Sequence, residues 1–135
     1  MPVQQTIIIV KPDGMAKGLA GKILQAVESF DLKVVTSVKT HLSRRWVEQL
    51  YLLESQEAYY DEVVDWVSSA PVLLLKIEGL DAVSKVKWQI IGRYPNGIRG
   101  LYSEDGLKNV AHAPDSDEAA RRELLLAEEI FAREK

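Results

Sequence analysis

The 135-residue chain contains no cysteine, only two histidines and no long run of apolar residues. The lack of cysteine excludes disulfide bonds and thiolate metal sites. No stretch approaches the roughly 20 apolar residues of a membrane-spanning helix, and the first residues lack the basic and apolar regions of a secretory signal. With 47% hydrophobic residues, the sequence predicts one globular domain over residues 1–135 in the cytoplasm, without a membrane partner.

The charge balance also excludes one class of function. The formal net charge is −3, whereas proteins that coat nucleic acids draw on a basic surface. We therefore expect no stable nucleic-acid partner, and any site for an anion must be local.

Apolar patterning predicts four strands. Residues 6–10 form a continuous β-branched run that is typical of a central strand. A second strand is predicted at about residues 32–41 and a third at residues 72–77. Val110 and Ala111 predict a short, buried fourth strand.

Turn and capping residues divide the rest of the chain. Lys11-Pro12-Asp13-Gly14 predicts a tight turn after the first strand. Ser43 is predicted to cap the first helix of a helical hairpin, and Asp81 to cap a helix that ends at Gly92. Residues 93–108 are irregular and rich in glycine and charge, which predicts a surface loop.

The resulting order is strand, helix, strand, helical hairpin, strand, helix, loop, strand, helix. Two βαβ units with a helical insertion fit this order, and folds of that kind form one antiparallel sheet with helices on one face. A doubly wound parallel sheet is the alternative that the order leaves open.

His112 lies between the fourth strand and the last helix, which is predicted over residues 116–132. Asp115 can cap that helix, with Glu118 reaching back from the third helical position. A histidine beside the free N–H groups of a helix N-terminus is well placed to meet a phosphate, so His112 is a candidate nucleophile. A structural histidine at a strand end is the alternative reading.

The sequence lacks both common glycine-rich phosphate motifs. Ile23 follows Lys22 where a P-loop needs serine or threonine, and the glycines do not form G-x-G-x-x-G. Separated cations near turns and loops must therefore bind any phosphate. The candidates are Lys11, Arg93 and Arg99, whereas Arg44, Arg45, Arg121 and Arg122 are expected on solvated helix surface.

Three separated segments carry a resemblance that extends over nearly the whole chain. They are Lys11-Pro12-Asp13-Gly14, Ile98-Arg99-Gly100, and Asn109-x-x-His112-x-x-Asp115-Ser116. In this order and context they resemble the nucleoside diphosphate kinase family. The resemblance implies an α+β, ferredoxin-like βαββαβ domain with a four-stranded antiparallel sheet, a helical-hairpin insertion and a C-terminal helix. It implies transfer of the terminal phosphoryl group between nucleoside tri- and diphosphates by a ping-pong route.

The same resemblance implies roles for the catalytic residues. His112 would carry the phosphoryl group, which suits a neutral imidazole near pH 7. Lys11, with Arg99, would bind phosphates and offset charge during transfer. Tyr51 would hydrogen-bond near the nucleophile, and Glu123 would fix the orientation and tautomer of the imidazole.

Further positions match the nucleotide-binding pattern of the family. Asn109 would contact the sugar, and Tyr59 and Val63 would sandwich the base without reading its edge. Mg²⁺ would bridge the phosphates, with Asp115 helping through water. Family members usually assemble from dimers, so we expect at least a homodimer.

The chain departs from the family in its phosphate clamp. Trp88 occupies the helix position where the family has a phosphate-binding arginine, and the following threonine position falls in Arg93-Tyr94. Lys85 or Arg93 is the candidate replacement for the missing charge. Neither a lysine nor an arginine at a displaced position would reproduce the bidentate phosphate clamp.

Three other departures surround the site. The loop from Gly92 to Arg99 is several residues shorter than in the family, and Ala113-Pro114 removes a serine that would help hold Glu123. At Gly106-Leu107 glycine comes before the apolar residue, whereas the family has an apolar residue followed by glycine on the side of the pocket that holds the base. Two alternatives to an active kinase therefore stay open: a weakly active or inactive nucleotide-binding protein on this fold, and a small-ligand regulatory domain.

Overall fold

A four-stranded antiparallel sheet in the order β2-β3-β1-β4 forms the centre of the molecule. The computed structural model describes residues 2–92 and 97–133. The strands are β1 (Val3–Val10), β2 (Lys33–Thr40), β3 (Val72–Leu80) and β4 (Ala111–His112). The antiparallel pairings of β1 with β3 and β4, and of β2 with β3, confirm the predicted sheet. The parallel alternative is wrong.

The helices alternate with these strands. They are α1 (Pro12–Ala16), α2 (Ala20–Ser29), α3 (Arg44–Leu50), α4 (Tyr60–Val67), α5 (Ala82–Ser84), α6 (Ile98–Tyr102) and α7 (Asp117–Arg133). A 3₁₀ turn at Leu52–Glu54 joins the hairpin of α3 and α4, and α5 continues as a π-helical segment at Lys85–Ile90. Among the helices described, none combines the length and apolar character needed to span a membrane.

The central strand β1 is buried on both faces. Ile8 and Val10 belong to the core formed with α2 and the π-helical segment, whereas Ile7 and Ile9 belong to the core formed with α3, α4 and α7. All four side chains are fully buried, and burial of such a side chain contributes roughly 1.5–3 kcal/mol. Helices therefore cover both faces rather than one, because the hairpin insertion and α7 form a second layer. This explains why the run lacks polar alternation.

Two predictions about local structure in the first half of the chain have different outcomes. Ser43 caps α3 as predicted, since its Oγ accepts a hydrogen bond from the Trp46 amide at 3.1 Å. The segment after Lys11 is a short helix rather than only a tight turn. Pro12 at its first position is compatible with this because proline lacks an N–H that would need a partner there.

Three predictions in the second half need correction. Asp81 adopts a left-handed conformation, with φ of 52°, and its side chain does not cap α5. Ser116, rather than Asp115, caps α7, because its Oγ accepts the Ala119 amide at 3.1 Å. The region predicted as loop contains α6, whose five residues are too few to show helical periodicity.

Candidate active site

A cavity of about 580 Å³ lies beside β4, between the hairpin, α6 and α7. It brings together most of the residues that the sequence analysis singled out. These are Lys11, Tyr51, Tyr59, Val63, Arg99, Asn109, His112, Asp115 and Glu123. Arg93, the other predicted contact, lies outside the described residues.

His112 is held between two side chains. Its Nε2 lies 2.5 Å from Oε1 of the buried Glu123, and its Nδ1 lies 3.5 Å from the Tyr51 hydroxyl. The rings of Tyr51 and His112 meet edge to face, with centroids 5.4 Å apart. Since a carboxylate accepts hydrogen bonds, Nε2 carries the proton, which leaves the lone pair on Nδ1.

Burial keeps this imidazole neutral. Desolvation lowers the pKa of His112, and the positive charges of Lys11 and Arg99 lower it further, against the opposing effect of Glu123. Burial also raises the pKa of Tyr51 far above neutrality, so its hydroxyl stays protonated. A neutral histidine with an available Nδ1 lone pair is a competent nucleophile.

The backbone just before β4 is strained. Val110 has φ of 68°, a left-handed conformation that β-branched residues rarely adopt. Its amide donates to Oδ2 of buried Asp13 at 2.9 Å, and its carbonyl accepts the Lys11 amide at 2.9 Å. Trp66 Nε1 donates to Asp13 Oδ1 at 3.0 Å. A side chain at Gly14 would come within 2.3 Å of the Val110 carbonyl, so this position has no room for one.

Lys11 is a buried lysine whose charged form is poorly compensated. Its Nζ donates to Oδ1 of Asn109 at 2.7 Å, and the residue is only 2% exposed. Burial, and then the charge of Arg99, lower the pKa of Lys11 to about 7, although Asp13 opposes the shift. A site that disfavours a lysine cation in this way gains stability when an anion enters it.

The π-helical segment contributes Lys87 to the wall of the cavity. The amide of Ile91 donates to the carbonyl of Val86, five residues back, at 2.8 Å. Lys87 lines the cavity and its Nζ donates to the Ala113 carbonyl at 3.3 Å, whereas Trp88 is 59% exposed. A lysine therefore lines the cavity one residue before Trp88, the position at which the sequence analysis considered a charge to be missing.

Lys85, one of the two replacements predicted from the sequence, does not fill that role. Its Nζ donates to the Phe30 carbonyl at the end of α2, at 3.3 Å, and it does not line the cavity. Lys87 was missed because the sequence analysis assigned the family's arginine position to the next residue, Trp88. The sequence contains no separate signal for the wider turn.

The far end of the cavity carries apolar and acidic side chains. Val63 is buried and Tyr59 is 47% exposed, and both line the cavity with Leu107. Glu54 and Glu62 also line it, and burial raises the pKa of Glu54, with a further contribution from Glu123. This end suits a flat, partly apolar group rather than a phosphate.

Comparison with known proteins identifies the family. The family model described as nucleoside diphosphate kinase matches residues 4–131. The chain belongs to the nucleoside diphosphate kinase family. It transfers the terminal phosphoryl group of a nucleoside triphosphate to a nucleoside diphosphate, and this family works by a ping-pong mechanism.

Individual nucleoside diphosphate kinases are similar over most of their length. The enzyme of Saccharolobus solfataricus is 37% identical over 132 residues, which are 93% of this chain and 95% of that protein. The enzyme of Campylobacter hominis is 33% identical over 90% of this chain and 93% of that protein. A crystal structure of the Aquifex aeolicus nucleoside diphosphate kinase has a TM-score of 0.86 at 32% identity and covers 93% of this chain and 94% of that one.

Nucleoside diphosphate kinases generally use a divalent metal ion. Within residues 2–92 and 97–133, no group of three histidine, aspartate or glutamate side chains could hold one. Asp115 is an exposed carboxylate on the cavity wall, three residues after His112. This donor set fits an ion that is held mainly by nucleotide phosphates, because magnesium keeps several waters and needs few protein ligands.

The charge state of Lys11 generates a prediction for nucleotide binding. At pH 8 a lysine with a pKa of about 7 is mostly neutral, and nearby phosphates favour its charged form, so binding raises that pKa. We expect Mg²⁺-ADP binding at pH 8 to take up about one proton per site, and affinity to fall as pH rises above 7. Calorimetry in buffers of different ionisation enthalpy measures this uptake.

The control for this measurement is Lys11→Gln, which keeps an amide donor but cannot titrate. This variant is expected to show proton uptake close to zero at the same pH. Wild-type binding with no net proton uptake would show that Lys11 is already charged in the empty site.

Proposed function

We propose that Nδ1 of His112 accepts the phosphoryl group during the ping-pong reaction. The observation that carries this assignment is the 2.5 Å contact between His112 Nε2 and Glu123, which occupies one ring nitrogen and leaves the other toward Tyr51. In the first half-reaction Nδ1 attacks the γ-phosphorus of the triphosphate. The N–P bond forms while the bond between that phosphorus and the β,γ-bridging oxygen breaks, and the diphosphate leaves with the bond electrons.

Glu123 stabilises the charge that this step creates. Phosphorylation of Nδ1 with the proton retained on Nε2 makes the ring cationic, and the buried carboxylate lies directly against that proton. No proton has to leave the ring, so the group can be returned to a second diphosphate by the reverse step. The direct contact also supports firm orientation of His112 despite the loss of the family's serine at Pro114.

We assign the phosphates to the cationic part of the cavity. Lys11, Lys87 and Arg99 approach it from three different elements, and Arg99 Nε donates to the Ala111 carbonyl beside the nucleophile, at 3.0 Å. Positive charge placed in advance stabilises the oxygens that gain charge in the transition state. The Tyr51 hydroxyl stays protonated and is a further hydrogen-bond donor for the phosphates in this part of the cavity.

The nucleoside then extends toward the hairpin. Asn109 lies between the phosphate end and the base end, where its amide bonds Lys11 and the Gly106 carbonyl, and we propose that it contacts the sugar. Tyr59 and Val63 provide the faces for the base, a stacking mode that tolerates every base. Arg93 stays a predicted nucleotide contact outside the described residues.

We propose Mg²⁺ as the divalent ion, carried on the nucleotide phosphates with Asp115 contributing through water. When bound, the ion neutralises phosphate charge and favours departure of the diphosphate. The residues of the chain then need only to bind the oxygens that the ion leaves uncovered.

We also propose a single domain over residues 1–135, a cytoplasmic location and at least a homodimer. Support for the assembly comes from β2, which lies at an edge of the sheet and carries the exposed Val35 at a register irregularity. An exposed edge strand can pair with another chain unless it is protected. Sedimentation equilibrium measures the assembly directly.

The weakly active alternative rested on Trp88, Pro114 and the short loop. Lys87 in the cavity and the contact of His112 with Glu123 argue against the first two reasons. The small-ligand regulatory alternative gives no reason for lysine, arginine and histidine to meet in one cavity. An active kinase is the function that this geometry supports best.

The test of the relay is incubation with γ-labelled ATP and Mg²⁺, followed by an alkaline quench that preserves phosphohistidine. We expect label on the wild type, released as labelled GTP when GDP is added. His112→Ala is expected to acquire none because it lacks the acceptor nitrogen. If the wild type binds ATP but acquires no label, or His112→Ala acquires as much, the proposal fails.

The role of Lys87 is tested by Lys87→Met. Loss of a charged contact costs about 1.5–3 kcal/mol, so kcat/KM is expected to fall by roughly one to two decades in steady-state assays. Lys85→Met removes the same charge from the same helix away from the cavity and should leave kcat/KM near the wild-type value. Equal effects of the two substitutions would contradict the assignment.

A further inference from the structure

Arg122 on α7 contacts the end of α3, although the sequence predicts it on solvated surface. Its Nη1 donates to the Gln49 carbonyl at 3.0 Å and its Nη2 to the Leu50 carbonyl at 2.7 Å. Its Nε is buried without a hydrogen-bond partner among the described residues. The planar guanidinium thus holds two successive carbonyls with its two terminal nitrogens.

These two carbonyls belong to the residues immediately before Tyr51. Tyr51 follows the last residue of α3, where the carbonyls of the final turn lack partners within the helix and attract cations. The two N–H donors of Arg122 therefore hold the Gln49 and Leu50 carbonyls, and with them the backbone from which the Tyr51 side chain extends toward His112 Nδ1. Helix ends fray unless such groups are bound.

The next residue of α7, Glu123, contacts the proposed nucleophile. Glu123 bonds His112 Nε2, so two consecutive residues of α7 contact His112 and the two residues before Tyr51. The separation of 3.5 Å between the Tyr51 hydroxyl and Nδ1 is long for a hydrogen bond between these groups. Because Tyr51 follows the last residue of α3, the distance between its hydroxyl and Nδ1 depends on the position of the α3 end.

We propose that Arg122 is a positioning residue for phosphoryl transfer, which sets the Tyr51 hydroxyl against His112 by holding the C-terminal carbonyls of α3. The inference rests on the proposed relay through His112 and extends it. Arg122 does not line the cavity and bonds the end of α3 instead of the imidazole, so its contribution to the rate passes through the Tyr51 hydroxyl.

The test is a double-mutant cycle on the rate of His112 phosphorylation by saturating Mg²⁺-ATP, measured by rapid quench. Arg122→Met is expected to lower this rate roughly tenfold, because the hydroxyl is no longer held in place. Combined with Tyr51→Phe, it should cause no further loss, since the group through which it acts is already absent. Arg121→Met, which removes an exposed arginine one residue earlier on α7, should leave the rate unchanged.

Each outcome separates the inference from the function on which it rests. A wild type that forms no phosphohistidine refutes the relay itself. A functional wild type with an unaffected Arg122→Met variant, or with independent losses from Tyr51→Phe and Arg122→Met, refutes the positioning role. Thermal unfolding checks that each variant is folded.

If Arg122→Met does not fold, the same cycle uses Arg122→Lys. Its single ammonium cannot reproduce the paired donors of the guanidinium, so a smaller loss that disappears in the Tyr51→Phe background is expected. A loss of equal size in both backgrounds would contradict the inference.

Discussion

The strand that carries His112 is only two residues long, and the site depends on how other elements compensate for this. β4 pairs with β1 through Ala111 and His112 alone, so the sheet by itself cannot fix the imidazole. Asp13 holds the left-handed residue before the strand, and Glu123 holds the ring after it. Both carboxylates are buried and each accepts a hydrogen bond, which meets the requirement for burying a charged group.

The charges around the cavity have two effects, one on His112 and one on phosphate binding. Burial and neighbouring cations favour an uncharged His112, while the same cations make the site receptive to polyphosphate. Lys11 lies between β1 and α1, Lys87 in the π-helical segment and Arg99 in α6, and all three line the cavity. In the proposed complex, the nucleotide supplies the negative charge that offsets their mutual repulsion and favours the cationic form of Lys11.

Much of this was predictable because the deciding patterns are local. The apolar run of β1, the serine cap at Ser43 and the placement of His112 between a strand and a helix all followed from short segments. The position of Lys87 did not, because the family's arginine position was assigned to Trp88, and only the structure shows that Lys87 lines the cavity. Arg122 was misjudged for a related reason, since a helix arginine looks solvated until the structure shows its distant partners at Gln49 and Leu50. No role was predicted for Asp13, whose partner Val110 is equally distant in sequence.

The central claim is that Glu123 selects the reacting nitrogen of His112 by occupying the other one. Two-dimensional ¹H–¹⁵N NMR of the phosphorylated protein, with ¹⁵N-labelled histidine and ³¹P coupling, identifies which ring nitrogen bears phosphorus. We expect the phosphorus coupling at Nδ1 and a proton retained on Nε2. Phosphorus on Nε2, or on a residue other than His112, would contradict the account.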